Sequence, residues 1–250
     1  MWHCFPVKEH PGRKSMSRQI VRTIACGSFA LVVALGVAWH AQAQDAKATY
    51  LNMAPLEQYV MADRNAEIAL ARSAAPESIS RDAEVMVLGQ HGYETAVKGK
   101  NGFVCMVDRS WAAGIDDPVF WNPKIRGAIC LNPPAARTVV PITLKKTELI
   151  LAGKSKAQMS EAIKEAFDKK ELPTLEPGSM SYMMSKQSYL SDSAGHWHPH
   201  LMLFVPQTDA ATWGADLPGS PILTFGYSQD RLTVFMIPVA KWSDGTADAH

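Results

Sequence analysis

The order in which hydrophobic patterns follow one another restricts the fold of this chain more than any single residue does. From Pro55 to Ala75 the apolar residues Leu56, Tyr59, Val60, Ile68 and Leu70, interleaved with alanines and charges, fit one amphipathic helix that starts at Pro55 and ends before Pro76. Three β-branched or aromatic runs come next: Glu84 to Leu88, Tyr93 to Val97 and Phe103 to Val107. The last two flank Lys98-Gly99-Lys100-Asn101-Gly102, whose Asn-Gly pair predicts a hairpin and hence an antiparallel meander. Ser110 to Arg137 carries Trp111, Phe120 and Trp121 among Pro118, Pro123, Pro133 and Pro134, a composition that predicts irregular, aromatic-packed loop. Helical patterns return over Val139 to Ala152 and over Ser155 to Lys170, the second with Ser155 as its N-cap. After a turn at Pro173 to Gly178, short strands are predicted over Ser179 to Ser185, Leu201 to Val205, Ile222 to Phe225 and Leu232 to Ile237. Helix, strands, helices, strands, with no regular β-α alternation, excludes a doubly wound fold and predicts an α+β domain with a largely antiparallel sheet and three main helices.

Upstream of this domain the chain reads as a secretory leader. Arg18 and Arg22 form a positive n-region, Ile24 to Ala38 an apolar stretch, and Ala41-Gln42-Ala43 an A-x-A cleavage site. The apolar stretch is roughly 15 residues, short of the ~20 that span a bilayer, so a removed segment is expected and not a permanent membrane anchor. Met1 to Ser15 has no periodic pattern and would bury the n-region inside the chain, which points to Met16 as the true start. Cys26 stands at the beginning of the apolar stretch, where a lipidated cysteine would follow its end. The expected organisation is a leader over 1–43, with the signal peptide at 16–43, and a single exported globular domain over 44–250.

Export bears on charge and on cysteine chemistry. Most of the charged residues of the leader are basic, so its removal leaves a small negative balance and no electrostatic reason to expect nucleic acid as a partner. Cys4 and Cys26 go with the leader, and Cys105 and Cys130 remain for an oxidising periplasmic or extracellular compartment. A disulfide between them is the simplest expectation; two buried thiols or a metal-binding pair are the alternatives, the latter against the known zinc spacings.

The chemically loaded segment is Gly195-His196-Trp197-His198-Pro199-His200. On extended backbone the side chains at i, i+2 and i+4 share a face, so His196, His198 and His200 could present imidazoles together to Zn²⁺ or Cu²⁺. Pro199 favours an edge strand or loop there. A further ligand would come from His91 or Glu94, in a turn between two predicted strands, while Asp192 is a candidate for the carboxylate that orients an imidazole. Met180, Met183, Met184 and Met202 flank the cluster and would suit copper, although strand methionines more often fill a core. The same histidines could instead pack and hydrogen-bond around a turn before the Leu201 to Val205 strand, or one could act in metal-free catalysis.

Other motifs fail on inspection. Gly153-Lys154-Ser155 lacks the upstream glycine of a phosphate loop, where Glu148 stands, and Met183 occupies the serine position of a Ser-x-x-Lys motif ending at Lys186. The histidine segment resembles the opening of the JAMM-type isopeptidase motif, but Gln207 and Ala210 occupy its later Ser and Asp positions. Taken over Asn52-Met53-Ala54-Pro55, Met61-Ala62-Asp63-Arg64, Gly102-Phe103-Val104-Cys105, Phe120-Trp121-Asn122-Pro123-Lys124 and Gly195 to His200, the chain resembles exported bacterial proteins with no assigned activity. That resemblance implies export and brings no ligand or catalytic residue with it.

Two functional expectations follow. One is an exported protein that binds a divalent metal through His196, His198 and His200 and uses it for hydrolysis. The other is a metal-free binding or interaction protein, of small molecules or of proteins, whose recognition surface is the Pro-rich loop with Trp111, Phe120 and Trp121.

Overall fold

The computed structural model describes residues 50–192 and 197–249, so the leader, its cleavage site and His196 lie outside the described residues. Asp63 decides where the first helix begins: its carboxylate accepts the backbone N–H groups of Asn65 and Ala66 and caps α1 (Arg64–Arg72). The single helix expected from Pro55 to Ala75 is therefore broken into a 3-10 turn at Leu56–Gln58 and α1, with a short helix α2 (Glu77–Ser80) beyond Pro76. Strands β1 (Glu84–Gly89) and β2 (Gly92–Val97) form an antiparallel hairpin whose tight turn rests on Gly92 at a φ of 113°, a left-handed backbone that favours glycine.

Strand β3 (Val104–Asp108) pairs with β1 in parallel, not with β2, which corrects the meander expected from Asn101-Gly102. Here the Asn-Gly pair serves a crossing instead of a hairpin. Asn101 Nδ2 donates to the Ile79 carbonyl, the Lys100 N–H reaches Asp82, and the Glu84 N–H reaches Phe103, so the segment lies under the start of β1. A Cβ at Gly99 would stand 2.2 Å from the Glu84 nitrogen, so glycine is what allows the close approach.

The segment expected to be irregular contains β4 (Gly127–Leu131), buried along its whole length, and α3 (Pro133–Thr138), opened by an Asn132 side-chain cap and Pro133. A five-residue apolar run with no alternation carries little periodic signal, and the surrounding prolines masked it. Pro141 lacks the N–H that would reach back one turn, and α3 accordingly yields at Val139 to α4 (Val140–Leu151). Gly153 ends α4 in a left-handed conformation, with Lys154 N–H bonded to the Leu149 carbonyl, and Ser155 with Gln158 forms a capping box on α5 (Lys156–Asp168). Strands β5 (Met180–Met183), β6 (His200–Pro206), β7 (Leu223–Tyr227) and β8 (Leu232–Pro238) complete an eight-stranded sheet in the order β2-β1-β3-β4-β5-β6-β8-β7. The fold is α+β in a single domain, with every strand pair antiparallel except β1 with β3.

Strand alternation divides the residues between two faces. Cys105 and Val107 on β3, with Ala128 and Cys130 on β4, face α1 and pack against Ala71 and Ala74. Cys105 and Cys130 are directly opposed across the β3–β4 pair and form a disulfide, which joins two neighbouring strands and does not pin a loop. Met106, Ile129 and Leu131 point the other way, into the larger core under α4 and α5. Trp111, Phe120 and Trp121 belong to that core at 0 %, 0 % and 6 % exposure, and the Trp111 indole N–H donates to Thr147 on α4. Residues this buried cannot form the exposed recognition surface expected of the aromatic loop. Among the described residues no helix is long and apolar enough to cross a membrane.

Candidate functional site

Eight strands make a sheet wider than the helices laid on it, and the space left beside α4 is a cavity of about 520 Å³. Its floor is one face of the sheet: Ile129 and Leu131 from β4, Met183 from β5, His200, Met202 and Phe204 from β6, and Leu232 and Met236 from β8. The cross-strand registers align these residues, with Met183 opposite His200, His200 opposite Pro238 and Met202 opposite Met236. The cover comes from Val139 at the start of α4, from Ile142, Thr143 and Lys146 on it, and from residues 109–119 of the loop after β3. Leu223 and Phe225 on the edge strand β7, each 41 % exposed, mark where the cavity meets solvent.

Charged side chains interrupt the apolar walls. Asp108 closes β3 on the same face as Met106, and burial pushes its carboxyl up to about 7 against the pull of Arg109 and Lys146. Lys146 points inward from α4 at 1 % exposure, donating to Asp230 Oδ2 at 2.5 Å and to the Ala113 carbonyl at 3.0 Å. Asp230 sits on the 3-10 turn between β7 and β8, 3 % exposed. Burial raises its carboxyl from the ordinary value, and Lys146 opposes the rise. Its other oxygen, Oδ1, is buried with no hydrogen-bond partner. Tyr227 lies beside them, its phenol raised by burial and by the neighbouring Asp117, Asp230 and Asp108.

No family model, curated protein or solved structure matches this chain.

The histidine segment borders the same cavity. His200 is buried, its Nδ1 donates to the His198 carbonyl at 2.8 Å, and burial lowers its pKa, which keeps the ring neutral at pH 7. His198, whose side chain is 52 % exposed, places Nδ1 2.5 Å from Asp248 Oδ2. Both line the cavity, as does Trp197, whose indole N–H donates to the Ser185 carbonyl. The other expected ligands are not with them. β3, β4 and β5 separate β1 from β6, about 19 Å at ~4.8 Å per strand, so His91 at the β1–β2 turn and Glu94 on β2 stand far across the sheet. Glu94 pairs instead with Arg64. Asp192 does not orient either described imidazole: it accepts from Tyr189, Tyr50 and Asn122 and pairs with Lys124 at 3.0 Å, and these bonds, the tyrosines' foremost, hold its carboxyl down at about 2. Among the described residues no three His, Cys, Asp or Glu side chains converge as a metal site.

Sequence reasoning missed Asp108, Lys146, Tyr227 and Asp230. Two of them carried a signal. Lys146 interrupts the apolar stripe of Ile142, Leu149 and Ile150 on α4, and Asp108 follows Val104 and Met106 in the alternation of β3. A charge in an apolar stripe is expensive unless it is partnered, so either position could have been read as one half of a buried polar pair.

Proposed function

We propose that this protein is an exported binding protein that takes a small, mostly apolar molecule into the cavity between its sheet and α4. The observation that carries the reading is the cavity itself: about 520 Å³, walled mostly by aliphatic, methionine and aromatic side chains with a minority of polar groups among them. Ligand pockets have this size and this division of labour, in which apolar walls supply affinity and a few fixed polar groups set orientation. Export is supported by the leader and by the Cys105–Cys130 disulfide, since such bonds persist in oxidising compartments.

Titration calorimetry with n-octanol tests the reading. Burying eight carbons gains roughly 6 kcal/mol, a ceiling equivalent to a Kd of about 40 μM, and the cost of association makes the observed binding weaker than that. Met202→Trp, which fills the centre of the floor, is expected to weaken octanol by at least about tenfold. Absence of saturable octanol binding, or full binding by a folded Met202→Trp variant, would refute it.

A second reading, of Zn²⁺ or Cu²⁺ at His198 and His200 with His196, is favoured by one observation. Both described rings direct Nδ1 at an oxygen, Asp248 for His198 and a carbonyl for His200, and in a neutral ring this leaves the lone pair on Nε2, as a metal ligand requires. Elemental analysis of untagged protein decides this reading: a stoichiometric metal lost in His198→Ala supports it, and metal-free protein whose melting ignores added Zn²⁺ and Cu²⁺ ends it.

A further inference from the structure

The floor of the cavity carries a cluster of side chains that an apolar ligand leaves unused. Strand register places Met183 on β5 directly opposite His200 on β6, and Met202 on β6 directly opposite Met236 on β8. His200 and Met202 alternate onto the same face of β6, and all four side chains line the cavity. Directly opposed residues stand about 5 Å apart at Cβ, and same-face neighbours along a strand about 7 Å, so the thioethers and the imidazole occupy one patch. These methionines differ from those that fill the core. Met106 and Met159 are enclosed, at 1 % and 0 % exposure, whereas Met183, Met202 and Met236 are half-buried. A Cβ at Gly127 would stand 3.1 Å from the Met183 methyl, so the bare glycine leaves that flexible side chain room to turn.

His200 contributes a defined nitrogen. A carbonyl only accepts, so the bond from Nδ1 to the His198 carbonyl puts the proton of the neutral ring on Nδ1 and leaves the lone pair on Nε2. Among the described residues Nε2 has no hydrogen-bond partner and, unlike Asp230 Oδ1, it is not sealed off.

We infer that His200 Nε2 and the thioethers of Met183, Met202 and Met236 form a site for a cuprous ion, Cu(I). The site goes beyond the binding of an apolar molecule and does not depend on it, and unlike the divalent reading it needs neither His196 nor the His198 ring. Thioethers select Cu(I), whereas Cu²⁺ prefers nitrogen and oxygen. The set holds no anionic ligand to offset a second charge, and the Born cost of bringing an ion between apolar walls grows with the square of its charge. Thioethers also suit an oxidising compartment, where thiols pair as Cys105 and Cys130 do.

Anaerobic titration of the untagged protein with Cu(I) held by bicinchoninate, a coloured competing chelator, tests this. A single copper per chain is expected, with sulfur among its ligands by X-ray absorption. Met202→Leu combined with Met236→Leu keeps the floor apolar and is expected to weaken Cu(I) by at least about 100-fold, while His198→Ala, which spares the carbonyl that holds His200, stays within about threefold of the parent. Failure to take Cu(I) from the chelator, a coordination shell without sulfur, or a folded double variant that binds as the parent does would overturn the inference. Copper held by nitrogen alone and lost in His198→Ala would overturn it in favour of the histidine reading. Should the double variant not fold, sulfur ligation in the parent together with the His198→Ala result still decides. Octanol titration uses no metal, so its failure would end the cavity-binding reading and leave this one standing.

Discussion

Lys146→Met removes the charge from a pair that is almost wholly enclosed, with the lysine at 1 % and Asp230 at 3 % exposure. Methionine fills nearly the same space, so the change is electrostatic and not a cavity. The ammonium leaves two groups behind, the Asp230 carboxylate that it met at 2.5 Å and the Ala113 carbonyl at 3.0 Å. Breaking a buried pair on one side costs about 3 to 5 kcal/mol, because the surviving charge is uncompensated. At roughly 2 to 4 °C per kcal/mol for a domain of this size, the melting temperature should fall by about 6 to 20 °C. The deficit should also depend on pH. Burial already raises the Asp230 carboxyl, and without Lys146 nothing in direct contact opposes it. A carboxyl whose folded-state pKa lies above its unfolded value of ~3.9 destabilises the fold as pH rises through that window, so the deficit should be smallest near pH 4 and grow as pH rises. Lys146→Met combined with Asp230→Leu should recover to within about 1 kcal/mol of the parent, because replacing both partners by apolar groups leaves no stranded charge. Thermal melts of the three proteins from pH 4 to 8 provide the assay. A single variant melting within about 2 °C of the parent, or a double variant no better than the single, would refute the argument.

The disulfide closes a loop whose ends are 25 positions apart, so replacing Cys105 and Cys130 by alanine should lower stability in urea by about 3 to 4 kcal/mol; an unchanged midpoint would count against it. Asp108→Asn should gain stability relative to the parent as pH rises from about 4 to 7, by an amount on the order of a few kcal/mol, because the parent must ionise a carboxyl that burial holds up near 7; parallel stability curves for the two proteins would show that the group is well solvated. Asp63→Ala should cost about 1 kcal/mol by uncapping α1, seen as a shifted denaturation midpoint, and a neutral result would mean that water replaces the cap. Protein recovered from the medium or periplasm of an expressing bacterium should begin at Gln44, and an intact leader on cytoplasmic material would contradict export.

What the sequence determined by itself was local. The Ser155 cap, the amphipathic runs of α4 and α5, and the alternation in β1, β2, β6 and β8 are legible because each is written within a few residues, where backbone geometry and neighbouring side chains decide the outcome. The α+β class followed from their order, and the Cys105–Cys130 pairing from two cysteines in a domain expected to be exported. Sequence also singled out His198 and His200, and both do border the cavity. Tertiary structure alone decided that β3 lies beside β1 and not β2, because strand pairing depends on which apolar face finds cover, and here that cover is α1 from earlier in the chain. It alone decided which charged side chains line the cavity. Asp108, Lys146, Tyr227 and Asp230 come from a strand end, a helix, an edge strand and a turn, and no local pattern relates them. Lys146 and Asp230 meet because a charge that cannot be left alone in a low-dielectric core is tolerated only where folding brings it a partner from a distant part of the chain.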